Sequence, residues 1–272
     1  MTTAAPDADV LKLENIRQAL VRQEDSIVFN LIERAQYPIN ADIYHPERCI
    51  GLSEYKRHQM MASGGSGCFA DYMMYKIEKV HAQARRYAQP TEVPFFGPLP
   101  DPVLQPLAAA PNVLAAHSVD INAKILAVYR DEIVPRICAT GDDGNHGSAA
   151  VQDVQCLQSM ATRIYYGLFV AESKFLINRE AYSEMIRRGD RQGLWDAITH
   201  RAVEDRNVQR VTRKAATFSQ EVSQDNATGT KFKIQPAFAG DCFERYMMPL
   251  TKEVEVSYLL QRLDAEEPPQ DC

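Results

Sequence analysis

Hydrophobic positions along the chain recur at the spacing of α-helices. Apolar residues return at intervals of three and four, and no stretch of four to eight residues alternates between turn signals as a half-buried strand would. The pattern therefore predicts an all-α protein. We expect a single-domain multi-helix bundle over residues 1–272, with long N-terminal, central and C-terminal helices and with flexible tails at 1–8 and 265–272.

Loops rich in Gly or Pro divide the helical pattern into segments. The Gly-containing loops are MASGGSG, GDDGNHG and QDNATGT, and a Pro-rich crossing from Gln89 to Pro111 cannot be helical throughout. The predicted helices are, in chain order, residues 9–36, residues 69–88, a helix near 119–138, a long helix from Ser148 to about Ile177, shorter helices up to about Ser223, and a last helix that begins near Gln235 and passes through Pro249.

Composition and charge exclude several classes of protein. Of the 272 residues, 45% are hydrophobic and 24% are charged, as is usual for a globular protein. The net charge of -6 and the pI near 5.6 argue against a nucleic-acid binder, which usually has a basic face. No apolar run approaches the roughly 18 residues of a membrane span, so no membrane association is expected.

The cysteines and the N-terminus favour a reducing compartment. The six cysteines are far apart and form no C-x-x-C pair, so neither a metal site nor a disulfide framework is indicated. The segment MTTAAPDADVLKLENIRQ lacks the basic and apolar regions of a secretory signal. We expect a cytoplasmic protein, or a plastid protein if a targeting segment has been removed.

Two cations lie within the most apolar helical segment, ATRIYYGLFVAESKF. Arg163 and Lys174 are eleven residues apart, which at about 100° per residue places them within about 20° of each other on the helix surface. Gly167 and Val170 lie between them on the same stripe. A helix that is apolar nearly all round is normally buried, and buried cations need anions. The pattern indicates a site for a small anion.

Charged residues also interrupt the apolar stripes of other helices. Arg17 and Glu24 fall inside the stripe of the first helix, and Thr251 and Glu255 share one face of the last helix. Glu204 lies near the start of another amphipathic helix. Structural explanations stay open, because Arg17 and Glu24 could form a buried ion pair and Lys174 could extend its amine to water from a helix end.

Several longer motifs resemble one enzyme family. The segments LENIRQALVRQEDSIVFNLIERAQYP, PFFGPLP, GDDGNHGS, CLQSMATRIYYGLFVAESKF and PLTKEVEVSYLLQRLD are similar to those of the all-helical chorismate mutases of fungi and plants, and more to the plant branch. The resemblance runs from about Leu11 to Asp264. It implies an all-α homodimer that rearranges chorismate to prephenate, in phenylalanine and tyrosine biosynthesis, without a cofactor or a metal.

The resemblance assigns roles to the charged residues already singled out. Arg17 and Arg163 would clamp the two carboxylates of the substrate, since a guanidinium binds a carboxylate through two parallel hydrogen bonds. Lys174 would donate to the region of the carboxylate and the ether oxygen. Glu255, protonated because burial raises its pKa, would donate to the same oxygen. The remaining family positions are Glu204, which would accept from the ring hydroxyl, and Thr251, which would line the pocket.

The chain departs from the family pattern at a few positions. Fungal members carry Asn where this chain has His200, and Tyr165 and Leu168 replace the His and Lys of the family motif RIHYGKFVAEAKF. The stretch from 49 to 67 is longer than in plant members and has no assigned function. Arg163, Lys174 and the intervening glycine are retained.

The resemblance also implies regulation by aromatic amino acids at a dimer interface. The matching positions are Arg85, Arg86, Asn145, Gly147 and Ser148. An amino-acid carboxylate fits an arginine pair or helix-start amides, although the same residues are also ordinary at helix ends. Tyrosine or phenylalanine is expected to inhibit and tryptophan to activate. Gln235, which replaces a fungal Thr implicated in switching, leaves the sign and strength of this control open.

Two other functions remain as alternatives. Glu78 and His81 have the E-x-x-H spacing of a di-iron carboxylate bundle, but that architecture needs two such pairs, and the near repeat from Asp143 to His146 lies in a Gly-rich loop. A catalytically inactive helical dimer that acts as an adaptor would share the fold. It would not explain why all the residues of the anion site are present together.

Overall fold

The computed structural model describes residues 10–48, 51–106, 113–221 and 231–264. Its α-helices are α1 (Leu13–Arg34), α2 (Glu54–Ala62), α3 (Phe69–Gln83), α4 (Asn122–Val128), α5 (Val134–Ile137), α6 (His146–Tyr165), α7 (Gly167–Ile177), α8 (Arg179–Arg187), α9 (Arg191–Ile198), α10 (Arg201–Phe218), α11 (Pro236–Cys242) and α12 (Met248–Gln261).

The all-α prediction is confirmed. The described residues contain no strand, and their β-structure is limited to one isolated bridge between Gln220 and Phe232. The predicted tails and the loop QDNATGT lie outside the described residues. Helix α2, which lies in the stretch that is longer than in plant members, was not among the predicted helices; Ser53 caps it by accepting from the amide of Lys56.

The predicted long helix from Ser148 to Ile177 is interrupted. Helix α6 begins at His146 and ends at Tyr165, a one-residue turn follows at Tyr166, and α7 begins at Gly167. The prediction of one continuous helix is therefore wrong in detail, because the hydrophobic pattern continues across the turn and carries no sign of it. The first helix is also shorter than predicted, since it covers Leu13–Arg34.

Two π-helical segments explain how prolines lie within long helical stretches. The segments are Tyr129–Ile133, between α4 and α5, and Phe243–Met247, between α11 and α12. In both places a proline, Pro135 or Pro249, is the second residue after the widened turn. Proline lacks an amide hydrogen and crowds the carbonyl four residues earlier, and a widened turn relieves that conflict. The last helical stretch therefore passes through Pro249, as the sequence predicted.

The helices pack around one main hydrophobic core. Helix α1 lies along α6, α7 packs on α12, and α10 packs on α11. Large side chains fill the core between them, among them Tyr129, Phe175, Phe243 and Tyr258. This packing brings α1, α6, α7, α10 and α12 around a cavity near the N-terminal end of α1.

Candidate active site

Gly167 allows two walls of the cavity to approach closely. A Cβ atom at this position would lie 2.8 Å from the carbonyl oxygen of Thr251 and 3.3 Å from Cγ of Glu255. Since real Cβ atoms do not come within 3.0 Å of another heavy atom, only glycine permits this separation of α7 and α12. The contact sets Thr251 and Glu255 against the helix pair that carries Arg163 and Lys174.

The cavity has a volume of about 420 Å³ and is lined by residues from seven helices and their connections. All six residues predicted to be catalytic line it: Arg17, Arg163, Lys174, Glu204, Thr251 and Glu255. The wall also contains His200, Asn207, Lys252 and several apolar side chains. Positions separated by more than two hundred residues in the sequence thus meet at one small, cationic site.

Arg163 is a buried cation without protein partners at two of its nitrogens. The residue is only 5% exposed, and its Nε and Nη1 atoms are buried without a hydrogen-bond partner. Burial lowers the pKa of Arg163 to about 10, against the opposing effects of Glu24 and Glu255, so the side chain stays charged at neutral pH. Unsatisfied buried donors are costly in a folded protein, and an anion in the cavity would satisfy them.

Lys174, on α7, and Glu255, on α12, form a pair in the cavity. Lys174 Nζ lies 3.1 Å from Glu255 Oε2 and donates to the carbonyl of Ile198 at 2.9 Å. Burial raises the pKa of Glu255 above its ordinary value, while Lys174 and Arg163 oppose that shift. The predicted direction of this pKa shift is therefore confirmed. Thr251, one turn earlier, donates its hydroxyl hydrogen to the carbonyl of Met247 at 2.7 Å, so its oxygen can only accept from a ligand.

Lys252 is a cavity residue that the sequence did not reveal. Its Nζ lies 2.7 Å from Glu204 Oε1 and 5.4 Å from the ring centroid of Trp195. The pair joins α10 to α12 across the cavity, and it leaves the second oxygen of Glu204 to accept from a bound molecule. Lys252 follows Thr251 and precedes Glu255 by three residues on one helix, a spacing that could have indicated a shared site.

The structure corrects the interpretation that Arg17 and Glu24 form a buried ion pair. Glu24 is buried and is bound instead by Arg210, at 2.6 and 2.8 Å, and by Lys214, at 3.2 Å, both on α10. Arg17 is exposed at the rim of the cavity. The sequence could not show this, because Glu24 and Arg210 are 186 residues apart.

The three positions that depart from the family pattern lie in different surroundings. Tyr165 is fully buried and faces away from the cavity: its hydroxyl accepts from the amide of Ile121 at 2.9 Å and contacts Asn122 Oδ1 at 3.1 Å. Leu168 lies in the core. His200 lines the cavity, at an exposed position before α10.

Of the positions predicted to bind effectors, the two arginines lie where α3 meets α6. Arg86 donates to Glu92 Oε2 at 2.8 Å and to Gln158 Oε1 at 3.1 Å. Arg85 has a left-handed backbone, with φ 67°, and donates to the carbonyl of Gln105. The end of α3 is thereby held against α6 near Gln158.

The other predicted effector positions lie at the start of α6. Asn145 precedes the helix, and Gly147 and Ser148 belong to its first turn. Ser148 and Gln158 are ten residues apart on α6, which corresponds to about 15 Å. Within one chain, the two groups of effector residues do not come together.

The residues with E-x-x-H spacing serve the fold. The carboxylate of Glu78 accepts from the amides of Phe95 and Phe96 at 2.7 and 3.0 Å, and His81 Nδ1 lies 3.2 Å from Gln158 Nε2. Among the described residues, no group of three or more His, Cys, Asp or Glu side chains could hold a metal ion. None of the described helices combines the length and the apolar character needed to cross a bilayer.

The fold and the cavity define an all-helical protein with a cationic pocket, and known proteins are similar to it in both sequence and fold. No family model matches the chain. A chorismate mutase of Schizosaccharomyces pombe is 42% identical over 256 residues, which are 93% of this chain and 97% of the relative. Plant relatives at 39-44% identity include chloroplastic and cytosolic chorismate mutases.

Solved structures agree with the sequence relatives. The structure of Aro7p chorismate mutase from Candida albicans in complex with L-Trp matches with a TM-score of 0.86 at 35% identity, over 99% of this chain and 98% of the other. The structure of AtCM1 with tyrosine bound in its allosteric site matches with a TM-score of 0.78 at 44% identity, over 93% and 97%. The chain belongs to the chorismate mutase family.

Proposed function

We propose that this chain rearranges chorismate to prephenate in the cavity between α1, α6, α7, α10 and α12. The observation that carries the proposal is Arg163, a buried cation whose Nε and Nη1 atoms have no protein partner and which lines a cavity of about 420 Å³. Chorismate is a dianion of suitable size. The shift takes place within one molecule, so the residues have to bind, orient and stabilise charge rather than supply a nucleophile.

The cations are arranged to hold both carboxylates of the substrate. Arg163 from the deep wall and Arg17 from the rim would each bind one carboxylate of chorismate. Because each planar guanidinium donates two parallel hydrogen bonds, the two arginines would select a compact conformer of the substrate. The second oxygen of Glu204, held by Lys252, would accept from the ring hydroxyl.

Negative charge develops on the ether oxygen as its C–O bond breaks. Lys174 and protonated Glu255 would donate to that oxygen, and their 3.1 Å separation allows both to reach one atom. The raised pKa of Glu255 supports a protonated carboxyl in this role. The second donor is lost when Glu255 ionises, and activity should therefore decline as pH rises through the raised pKa of Glu255.

The loss of chorismate ultraviolet absorbance tests this function, with the product confirmed by acid conversion of prephenate to phenylpyruvate. Wild-type protein should turn over chorismate, and Arg163→Ala should abolish turnover while the melting profile of the protein stays cooperative. A folded wild-type protein without turnover, with or without tryptophan, would support the adaptor alternative instead.

We also propose that the enzyme is a homodimer regulated by aromatic amino acids. Relatives of known structure bind L-Trp, or tyrosine in an allosteric site, which supports such a site here. Ser148 lies roughly 15 Å along α6 from Gln158, the residue that Arg86 contacts. This distance exceeds the length of an amino acid, so a second chain would have to complete the site. Sedimentation should give a dimer, and Arg86→Ala should weaken inhibition by tyrosine without changing kcat in its absence.

For the compartment, we propose the cytoplasm. The described cysteines Cys68, Cys138, Cys156 and Cys242 are free and buried, which suits a reducing environment. Imaging of the tagged full chain in its source cells distinguishes the cytosol from a plastid.

A further inference from the structure

A groove rich in arginine extends from the cavity along α1 and α10. The catalytic cavity shares Arg17, Arg163 and Asn207 with a neighbouring cavity, which in turn shares Arg206 and Arg210 with a third one. The three cavities therefore form a continuous path from the buried site to the surface. We call the second and third cavities the basic groove.

The basic groove has a charge opposite to that of the chain. Its lining contains seven Arg or Lys side chains and three carboxylates, a local excess of positive charge in a chain with a net charge of -6. Arg206, Arg210 and Arg213 follow one another at intervals of four and three residues, and Thr217 continues the stripe. One face of α10 thus presents a row of cations about 11 Å long.

Some of the cations in the basic groove are not paired with a carboxylate among the described residues. Arg210 and Lys214 compensate the buried carboxylate of Glu24. Arg22, Arg206 and Arg213, by contrast, are exposed, and none of them is paired with a carboxylate among the residues that the structure describes. Neighbouring positive charges in the basic groove repel one another, and this repulsion lowers the stability of the fold unless an anion binds there.

We propose that the basic groove is the path by which the dianionic substrate reaches the catalytic cavity, and that its unpaired arginines steer the substrate there. This inference rests on the proposed function. A cleft lined by charge of one sign concentrates an oppositely charged ligand, and the effect weakens as salt shortens the range of the field. Without the groove, the acidic remainder of the chain would repel chorismate.

The groove acts at a distance, so it should affect capture of the substrate and not the chemical step. Arg206 and Arg213 do not line the catalytic cavity. Removing their charge should lower kcat/KM and leave kcat unchanged. Steering depends on charge rather than on hydrogen-bond geometry, so lysine should replace arginine at both positions without loss.

The experiment measures kcat and kcat/KM for chorismate at an ionic strength of about 0.01 M, where the screening length is about 30 Å, and of about 0.15 M, where it is about 8 Å. Wild-type kcat/KM should fall by about threefold to tenfold between these conditions. For the double variant Arg206→Gln with Arg213→Gln, kcat/KM at both ionic strengths should equal the lower wild-type value measured at about 0.15 M, and kcat should stay within about twofold of wild type.

Two further double variants serve as controls. Arg48→Gln with Arg187→Gln removes the same charge from exposed positions outside the groove and should keep the wild-type salt dependence. Arg206→Lys with Arg213→Lys should also behave as wild type. The proposal is overturned if Arg206→Gln with Arg213→Gln retains the wild-type salt dependence of kcat/KM, or if the control Arg48→Gln with Arg187→Gln loses that dependence to the same extent. It is also overturned if Arg206→Lys with Arg213→Lys loses the salt dependence as the glutamine variant of the groove is expected to do. Absence of wild-type turnover would instead reject the proposed function.

Discussion

Two arginines of the same helix pair, Arg34 and Arg163, are almost equally buried but have opposite surroundings. Arg34, at the end of α1, is 0% exposed and Arg163, on α6, is 5% exposed. Arg34 donates to Asp153 at 2.6 Å and also to backbone carbonyls of the turn that follows α1, including those of Pro38 and Ile39. Arg163 has two nitrogens without a protein partner.

We propose that this difference separates a cation with a structural role, Arg34, from one that binds the substrate, Arg163. The environment of Arg34, with Asp153 the largest favourable contribution, raises the pKa of its guanidinium despite the cost of burial, whereas burial lowers the pKa of Arg163. A buried charge that the fold satisfies stabilises the fold. A buried charge that the fold leaves unsatisfied lowers stability and is available to a ligand.

The buried glutamates of α7 and α12 repeat this contrast. Glu172 is held by the hydroxyl of Tyr258 at 2.6 Å and by Arg262 at 2.6 and 3.0 Å, outside the cavity. Glu255 has Lys174 as its partner and lines the cavity. In both pairs of residues, only one member lines the cavity, and we propose that this member binds the substrate.

The largest expected effect is that of Arg163→Met. Removing the carboxylate clamp should lower kcat/KM for chorismate by about a thousandfold, since a charged donor to the substrate is lost. The free energy of unfolding should stay the same or rise, because an unsatisfied buried cation is replaced by an apolar side chain of similar size. Steady-state kinetics and urea denaturation measure the two quantities. A large loss of stability would contradict the functional assignment of Arg163.

The matched variant Arg34→Met should show the opposite result. Loss of the guanidinium leaves Asp153 buried with only tyrosine hydroxyls as partners, so the free energy of unfolding should fall by about 3–5 kcal/mol. The kcat of the protein that remains folded should stay within a few-fold of wild type. If Arg34→Met is as stable as wild type, the network around Asp153 does not stabilise the fold.

Glu255→Gln tests whether the protonated carboxyl of Glu255 donates a hydrogen bond in the reaction. Because the pKa of Glu255 is raised, the group is protonated at low pH and loses its hydrogen as pH rises through that pKa, and wild-type kcat should fall in the same range. An amide donates at every pH, so the alkaline limb of the kcat profile should flatten in the variant. An unchanged profile would remove Glu255 from this role.

The smallest effect concerns Gly167→Ala. The added Cβ would lie 2.8 Å from the carbonyl oxygen of Thr251 and would push α7 away from α12. We expect a loss of about 1–3 kcal/mol in the free energy of unfolding and a fall of about tenfold in kcat/KM. Gly97→Ala, whose added Cβ meets nothing within 4 Å, is the control. Equal behaviour of the two variants would show that the close approach is not required.

Local patterns in the sequence predicted much of the fold and part of the site. The apolar stripes predicted the helices, and the spacing of Arg163 and Lys174 predicted that both cations belong to one site, although the helix between them is interrupted at Tyr166. The turn at Tyr166 was missed because the hydrophobic pattern continues across it, and the close approach of Gly167 to Thr251 was missed because Thr251 is on a helix distant in the chain. The partners of Glu24 and Glu204 were missed for the same reason, since they depend on how α10 packs against α1 and α12.

The most direct test of the contrast between the two arginines is kcat for Arg163→Met and Arg34→Met at saturating chorismate, at a temperature where both proteins are folded. We predict that Arg34→Met retains turnover and that Arg163→Met loses it. Turnover by Arg163→Met at the wild-type rate would contradict the central claim that its unpaired guanidinium binds the substrate.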